Sequence, residues 1–79
     1  MSPTVFRYKS YRFFFFSREE SRIHIHVTCP EGEAKFWLDP VIALDRHVGL
    51  TEQQIKECQG IVEEHQDEIK KSWKKHFKN

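Results

Sequence analysis

The residues best suited to chemistry are His24 and His26. They stand two apart in Arg22-Ile23-His24-Ile25-His26-Val27-Thr28, a segment that alternates polar with apolar. In a strand, that spacing puts both imidazoles on one face with Cα atoms roughly 6.5–7 Å apart. So placed, they can act as an acid–base pair across one substrate, because an imidazole pKa of about 6.5 suits proton transfer near neutrality. They can also share a metal ion. The bland alternative is a pair of hydrogen-bonded polar residues on a solvated face or beneath a helix. No Asp-rich or Cys-rich cluster accompanies them, so neither a metal nor a cofactor is expected.

His65 is the third imidazole of interest. It replaces an apolar residue on a helical stripe, between Val62 and Ile69, and so faces the rest of the protein. A polar group there needs a partner. If the helix covers the His24/His26 side of the sheet, three imidazoles converge. If it covers the Ile23/Ile25/Val27 side, His65 is a structural histidine. Around the pair, Arg22 is in register with the histidines, and Arg12 and Lys35 can complete a basic margin. Trp37 lies on the same side as Lys35. An aromatic platform with basic and imidazole neighbours is what single-stranded RNA recognition uses, although a tryptophan is more often core than platform. The lysines Lys70, Lys71, Lys74, Lys75 and Lys78 add local charge, or form a solvated helix end. There is no Gly-rich phosphate loop, no Ser/His/Asp elbow and no Cys/His nucleophile spacing, and paired carboxylates occur only as helix charges.

The elements that must position these residues come in two halves. Thr4–Arg7 and Tyr11–Phe16 are β-prone and separated by a Lys9-Ser10 turn. Phenylalanines on both faces of Tyr11–Phe16 predict an inner strand covered on both sides. Ser17–Ser21 is a polar connection. Arg22–Thr28 and Ala34–Leu38 are further strands, joined by a hairpin at Pro30–Glu33. From Asp39-Pro40 the sequence predicts helices. Asp39 is an N-cap and Pro40 a first helical residue, so a short helix runs to His47 and ends at Gly49. Thr51 and Gln54 form a capping box, and Leu50 and Ile55 a hydrophobic staple. The stripe Ile55, Cys58, Val62, His65, Ile69, Trp73, Phe77 then predicts one helix of about 26 residues, roughly 39 Å long, with Gly60 as its candidate bend. Acids gather early in it and lysines late, as the macrodipole favours.

The whole chain has 79 residues, which bounds it to one small domain. Large cofactor-binding folds, solenoids and multidomain enzymes are excluded. Lys plus Arg is 13 and Asp plus Glu is 12, so any nucleic-acid contact must rest on a local patch. Seven Phe and two Trp argue against disorder. The two cysteines make no disulfide framework; Cys58 is expected as a buried free thiol, and a Cys29–Cys58 bridge stays open. The longest apolar run is Phe13–Phe16, far short of a membrane span, and the Met-Ser-Pro-Thr start is no signal peptide. A cytoplasmic protein is expected, with no membrane contact.

Together these stretches resemble the small bacterial domain-of-unknown-function (DUF) family 4160. The matching residues are Pro3-Thr4-Val5, Tyr11-Arg12-Phe13-Phe14-Phe15-Phe16-Ser17, His24-Ile25-His26-Val27, Glu33-Ala34-Lys35-Phe36-Trp37-Leu38-Asp39-Pro40 and Val62-Glu63-Glu64-His65, followed by Trp73 and Phe77. Arg22-Ile23 stands where such chains have a Pro-Pro-like step. The resemblance implies the toxin component of a two-gene toxin–antitoxin module. It also implies a small protein partner of the antitoxin kind, of DUF family 2442. The positions that carry over are Arg12, His24, His26, Lys35, Trp37 and His65.

The expected architecture is α+β. A three- or four-stranded antiparallel β-meander packs against a long C-terminal helix, with a short helix between. It is a single domain over 1–79, with strands to residue 39 and helices from residue 40. Two functions stay open. One is a toxin acting on RNA, in the manner of a metal-independent ribonuclease. His24 and His26 serve as base and acid, with Arg12 and His65 in the catalytic set and Arg22, Lys35 and Trp37 as nucleic-acid contacts. Such cleavage needs an acid, a base and a cation, with the 2′-hydroxyl as nucleophile. The other is a non-enzymatic protein-binding module whose histidines are structural.

Overall fold

The computed structural model describes residues 4–16 and 22–77. Pro3, the expected Ser17–Ser21 connection and Lys78 lie outside them. Alternation and turn chemistry produce five strands: β1 (Thr4–Tyr8), β2 (Tyr11–Phe14), β3 (His24–Cys29), β4 (Gly32–Trp37) and β5 (Ala43–Val48). They form one antiparallel sheet in the order β1-β2-β3-β4-β5. Two helices follow, α1 (Glu52–Glu64) and α2 (Gln66–His76). The fold is α+β, as the sequence predicts, with one more strand and a divided helix. β2 is an inner strand, as its two-faced phenylalanines require, with Tyr11 and Phe13 buried on one side and Phe14 on the other.

The extra strand corrects the short helix expected over Pro40–His47. Val41-Ile42-x-Leu44 fits a helical turn and a strand about equally, as short apolar runs do. The unpaired edge of β4 decides between them. β5 pairs along it from Glu33↔Val48 to Trp37↔Ala43 and satisfies its backbone groups. The strands therefore continue to Val48 rather than stopping at residue 39. Gly49 still ends the element, at φ 81°, a conformation glycine adopts without strain. A Cβ on Gly49 would meet the Glu31 carbonyl, and one on Gly32 the Val48 carbonyl. The β3–β4 hairpin and the end of β5 thus touch through backbone.

The capping box at the start of α1 forms as expected. Gln54 N–H donates to Thr51 Oγ1, and Thr51 N–H to Gln54 Oε1. The single long helix does not. It breaks at His65 (φ −108°, ψ 16°), not at Gly60. Main-chain bonds continue across the break, His65 N–H to the Ile61 carbonyl and Ile69 N–H to the His65 carbonyl. The one-residue turn keeps both stretches of the stripe on the sheet: Cys58 and Val62 before it, Ile69 and Trp73 after it, all buried.

The core lies between the helices and one sheet face. Phe13, Ile25, Val27, Phe36 and Leu38 from the sheet meet Cys58, Val62 and Ile69 from the helices. Each fully buried side chain of this kind contributes about 1.5–3 kcal/mol. The helices therefore cover the Ile25/Val27 side, which leaves the opposite face for any site.

Candidate functional site

The helix-free face is laid out by register. Phe14 pairs with His26, His26 with Lys35, and Lys35 with Arg46. An aromatic ring, an imidazole, an ammonium and a guanidinium thus form one row across β2, β3, β4 and β5, about 5 Å apart from strand to strand. A bulge sharpens the row at its β5 end. Lys35 faces Arg46 and Phe36 faces Leu44, so Asp45 is the extra residue. Its carboxylate reaches to 3.5 Å from Lys35 Nζ.

His24 and His26 lie together, as their spacing predicts, with ring centroids 5.0 Å apart. They are not equivalent. His24 is 3% exposed and His26 8%. His24 Nδ1 lies 2.9 Å from the Arg22 carbonyl, which can only accept, so Nδ1 carries the proton. The His24 ring is walled by Trp37 at 5.6 Å and by Trp73 of α2 at 5.0 Å. The His26 ring stacks on Phe14 at 5.6 Å and touches Phe16 at 4.1 Å. His26, not His24, lines a shallow cleft of ≈ 80 Å³ together with Phe14, Phe16, Glu33, Lys35, Arg46, His47 and Val48.

The cations gather on the same face. Arg22 Cζ and Lys35 Nζ each lie 4.2 Å from the centre of the Trp37 ring. Arg22 Nε also donates to the Asp39 carbonyl. Arg12 lies 4.5 Å over Phe14 and donates to Thr4 Oγ1 at 2.7 Å. Such cation–ring contacts contribute about 0.5–2 kcal/mol each. Trp37 therefore holds two cations, whereas Phe16, 47% exposed, is the ring with open surface.

His65 is on the other side of the sheet. Its ring packs on Phe6 at 4.5 Å, and Nδ1 donates to Glu68 Oε1 at 3.0 Å. The three imidazoles do not converge, because the helices cover the continuous apolar face rather than the polar one. Of the expected site residues, His26 and Lys35 line the cleft. His24, Arg22 and Trp37 form the adjoining cluster, and Arg12 flanks Phe14.

A second group of titratable side chains sits at the covered edge. Tyr11 Oη donates to Glu57, which also takes Lys9 Nζ at 2.6 Å. Burial pushes the Cys58 thiol up to about 11, and burial followed by the bond to Glu57 raises Tyr11. Cys58 is thus an inert thiol. Both cysteines are free. Among the described residues, no group of three or more His, Cys, Asp or Glu is placed to hold a metal ion.

The family model of a domain of unknown function, DUF4160, matches residues 10–74, from the β1–β2 turn into α2. The chain belongs to the DUF4160 family. No curated protein and no solved structure matches it. The DUF4160 match spans the whole row and both histidines. It also spans cleft residues that the residue pattern did not single out, among them Phe14, Phe16, Glu33, Arg46 and His47. Phe16 was expected on a covered strand face with Phe14, but it follows the end of β2 and is exposed. Arg46 and His47 were hidden by reading β5 as a helix, and only the pairing of β5 with β4 brings Arg46 beside Lys35. No helix among the described residues is long and apolar enough to cross a membrane.

Proposed function

We propose that this DUF4160 protein is the toxin component of a bacterial toxin–antitoxin module and acts on RNA in the cytoplasm. A small antitoxin-like protein of the DUF2442 kind is its neutralising partner. The observation that carries the reading is the cross-strand row Phe14–His26–Lys35–Arg46 on the helix-free face. It combines a proton-transfer group and two cations, with Phe16 beside it as an open stacking ring, the kit that metal-independent RNA cleavage needs. In this reading His26 exchanges the proton with substrate. Lys35 and Arg46 stabilise phosphate charge. His24, with Nδ1–H fixed on the Arg22 carbonyl, is a positioning residue behind His26. Arg12, Arg22 and Trp37 hold the surrounding ring–cation layer in place.

Inducible expression tests it. The wild type should arrest growth and degrade RNA in the presence of EDTA, and His26→Ala should abolish both while melting as a folded protein. Co-expression of the neighbouring small protein should relieve the arrest. A folded His24→Ala/His26→Ala double variant that is equally toxic would overturn the catalytic assignment.

One observation favours a second reading. His24 and His26 are both more than nine-tenths buried, as structural histidines are. The protein is then a non-enzymatic binding module, and it should bind its partner with no toxicity and no RNA loss.

A further inference from the structure

The cleft along the row has three chemically distinct walls. Phe16, with Phe14 and His26 behind it, offers a flat apolar ring surface. Lys35 and Arg46 stand opposite each other across β4 and β5 and supply positive charge. Glu33 also lines the cleft, two residues before Lys35 on the same strand face and paired with Val48. Lys35 already has Asp45 and Trp37 beside it. Arg46 is exposed and makes no ion pair with another described residue.

We infer that this cleft binds one nucleotide of single-stranded RNA, with Phe16 stacking the base, Arg46 holding the phosphate and Glu33 accepting the ribose 2′-hydroxyl. The inference rests on the RNA reading above and adds which sugar the site selects and which residues select it. Each wall matches one part of the ligand. Bases of any identity stack on an exposed ring, so Phe16 gives affinity without strong sequence preference. A guanidinium meets a phosphate with paired donors, and an ammonium beside it adds charge. A carboxylate is an acceptor only, so beside a cationic site it repels a second phosphate and instead takes a hydroxyl donor. Only RNA offers that donor at the 2′ position. A cationic cleft built for anions in general gains nothing from Glu33.

The test is equilibrium binding of fluorescein-labelled oligouridylate and its 2′-deoxy counterpart, followed by anisotropy. The two probes differ only in the hydroxyl. The wild type should prefer the ribose form about tenfold, the effect of one hydrogen bond to a charged group. Glu33→Gln should narrow that preference. Phe16→Ala should weaken both probes about tenfold. Arg46→Gln should weaken both and reduce the slope of log affinity against log salt by about 0.7, the value of one phosphate contact on a single strand. All three side chains are exposed, so the variants should melt like the wild type. Equal binding of the two probes by the wild type would overturn the inference. So would unchanged binding in Phe16→Ala and Arg46→Gln, or polyglutamate binding as tight as oligouridylate. The two readings fail separately. Growth arrest with binding unaltered in these variants removes the cleft and leaves the toxin. Ribose-selective binding with no growth arrest removes the toxin and leaves the cleft.

Discussion

Along the middle of β3 the two faces of the sheet are both closed and differently built. Along β3 the exposures run His24 3%, Ile25 0%, His26 8%, Val27 1%. Ile25 and Val27 are covered by α1 and α2 with aliphatic and aromatic side chains. His24 and His26 are covered by rings drawn from their own face, with Trp73 of α2 at the His24 end. Among the described residues no buried side-chain nitrogen or oxygen lacks a partner. A polar face can therefore be as buried as an apolar one, provided every group is paired. Burial alone does not distinguish core from site. The chemistry of what does the burying distinguishes them.

The largest effects should come from the helix-covered face. Phe36 is fully buried between sheet and helices. Phe36→Ala should cost about 3–5 kcal/mol in denaturant unfolding, most of the stability of so small a domain. Trp37 is its immediate neighbour on the other face and is half-buried. Trp37→Ala should cost clearly less. Equal losses would mean that the ring–cation layer is a second core and would dissolve the contrast between the faces.

Next in size is the alkaline limb of the stability profile. The Cys58 thiol is held at about 11 by burial, above its ordinary value of 9.0. The native state therefore keeps a proton that the unfolded state releases. Stability from this group is full below pH 9 and falls as the pH rises to about 11. The loss is on the order of 2–3 kcal/mol. Tyr11, raised in the same way, adds to the loss at higher pH. Unfolding midpoints measured between pH 8 and 11 should decline steeply in the wild type and less steeply in Cys58→Ala. Identical slopes would show that the thiol ionises without disturbing the fold.

The same contrast explains what the sequence disclosed. The covered face was legible because its pattern is local. Alternation in β3, the Thr51–Gln54 box and the Ile55–Phe77 stripe each follow from neighbouring residues. The open face was half legible. His24 and His26 share a face by strand geometry alone, and Lys35 and Trp37 share one for the same reason. Arg46 was not legible, because its place depends on a non-local fact, that β4 has a free edge which Ala43–Val48 must fill. The helix reading of Asp39-Pro40 used correct local chemistry and lost to that pairing. His65 was legible only as a conditional. Its partner depends on which face the helices choose, and that choice follows from the summed apolar area of Phe13, Ile25, Val27 and Phe36.

A smaller effect should come from the backbone joint that carries β5. Gly49 has φ 81° and lies against the Glu31 carbonyl. Gly49→Ala puts a Cβ into both constraints and should cost about 1–3 kcal/mol. It should also weaken oligouridylate binding, because β5 presents Arg46. Lost stability with intact binding would show that Arg46 is placed by its own strand pairing and not by the joint.

The smallest stability effect should be the most informative. Lys35 is 6% exposed, beside Asp45 at 3.5 Å and over Trp37. Burying an ammonium incurs desolvation that its ion pair repays only in part, and a hydrophobic residue of similar length often replaces such a charge at little or no loss. Lys35→Met should therefore shift the unfolding midpoint by less than about 1 kcal/mol in either direction. It should nonetheless abolish growth arrest and weaken RNA binding. A residue that is nine-tenths buried yet dispensable for folding is retained for what it binds. If Lys35→Met instead unfolds the protein as Phe36→Ala does, the ammonium is structural, and the row across the open face is a polar core rather than a site.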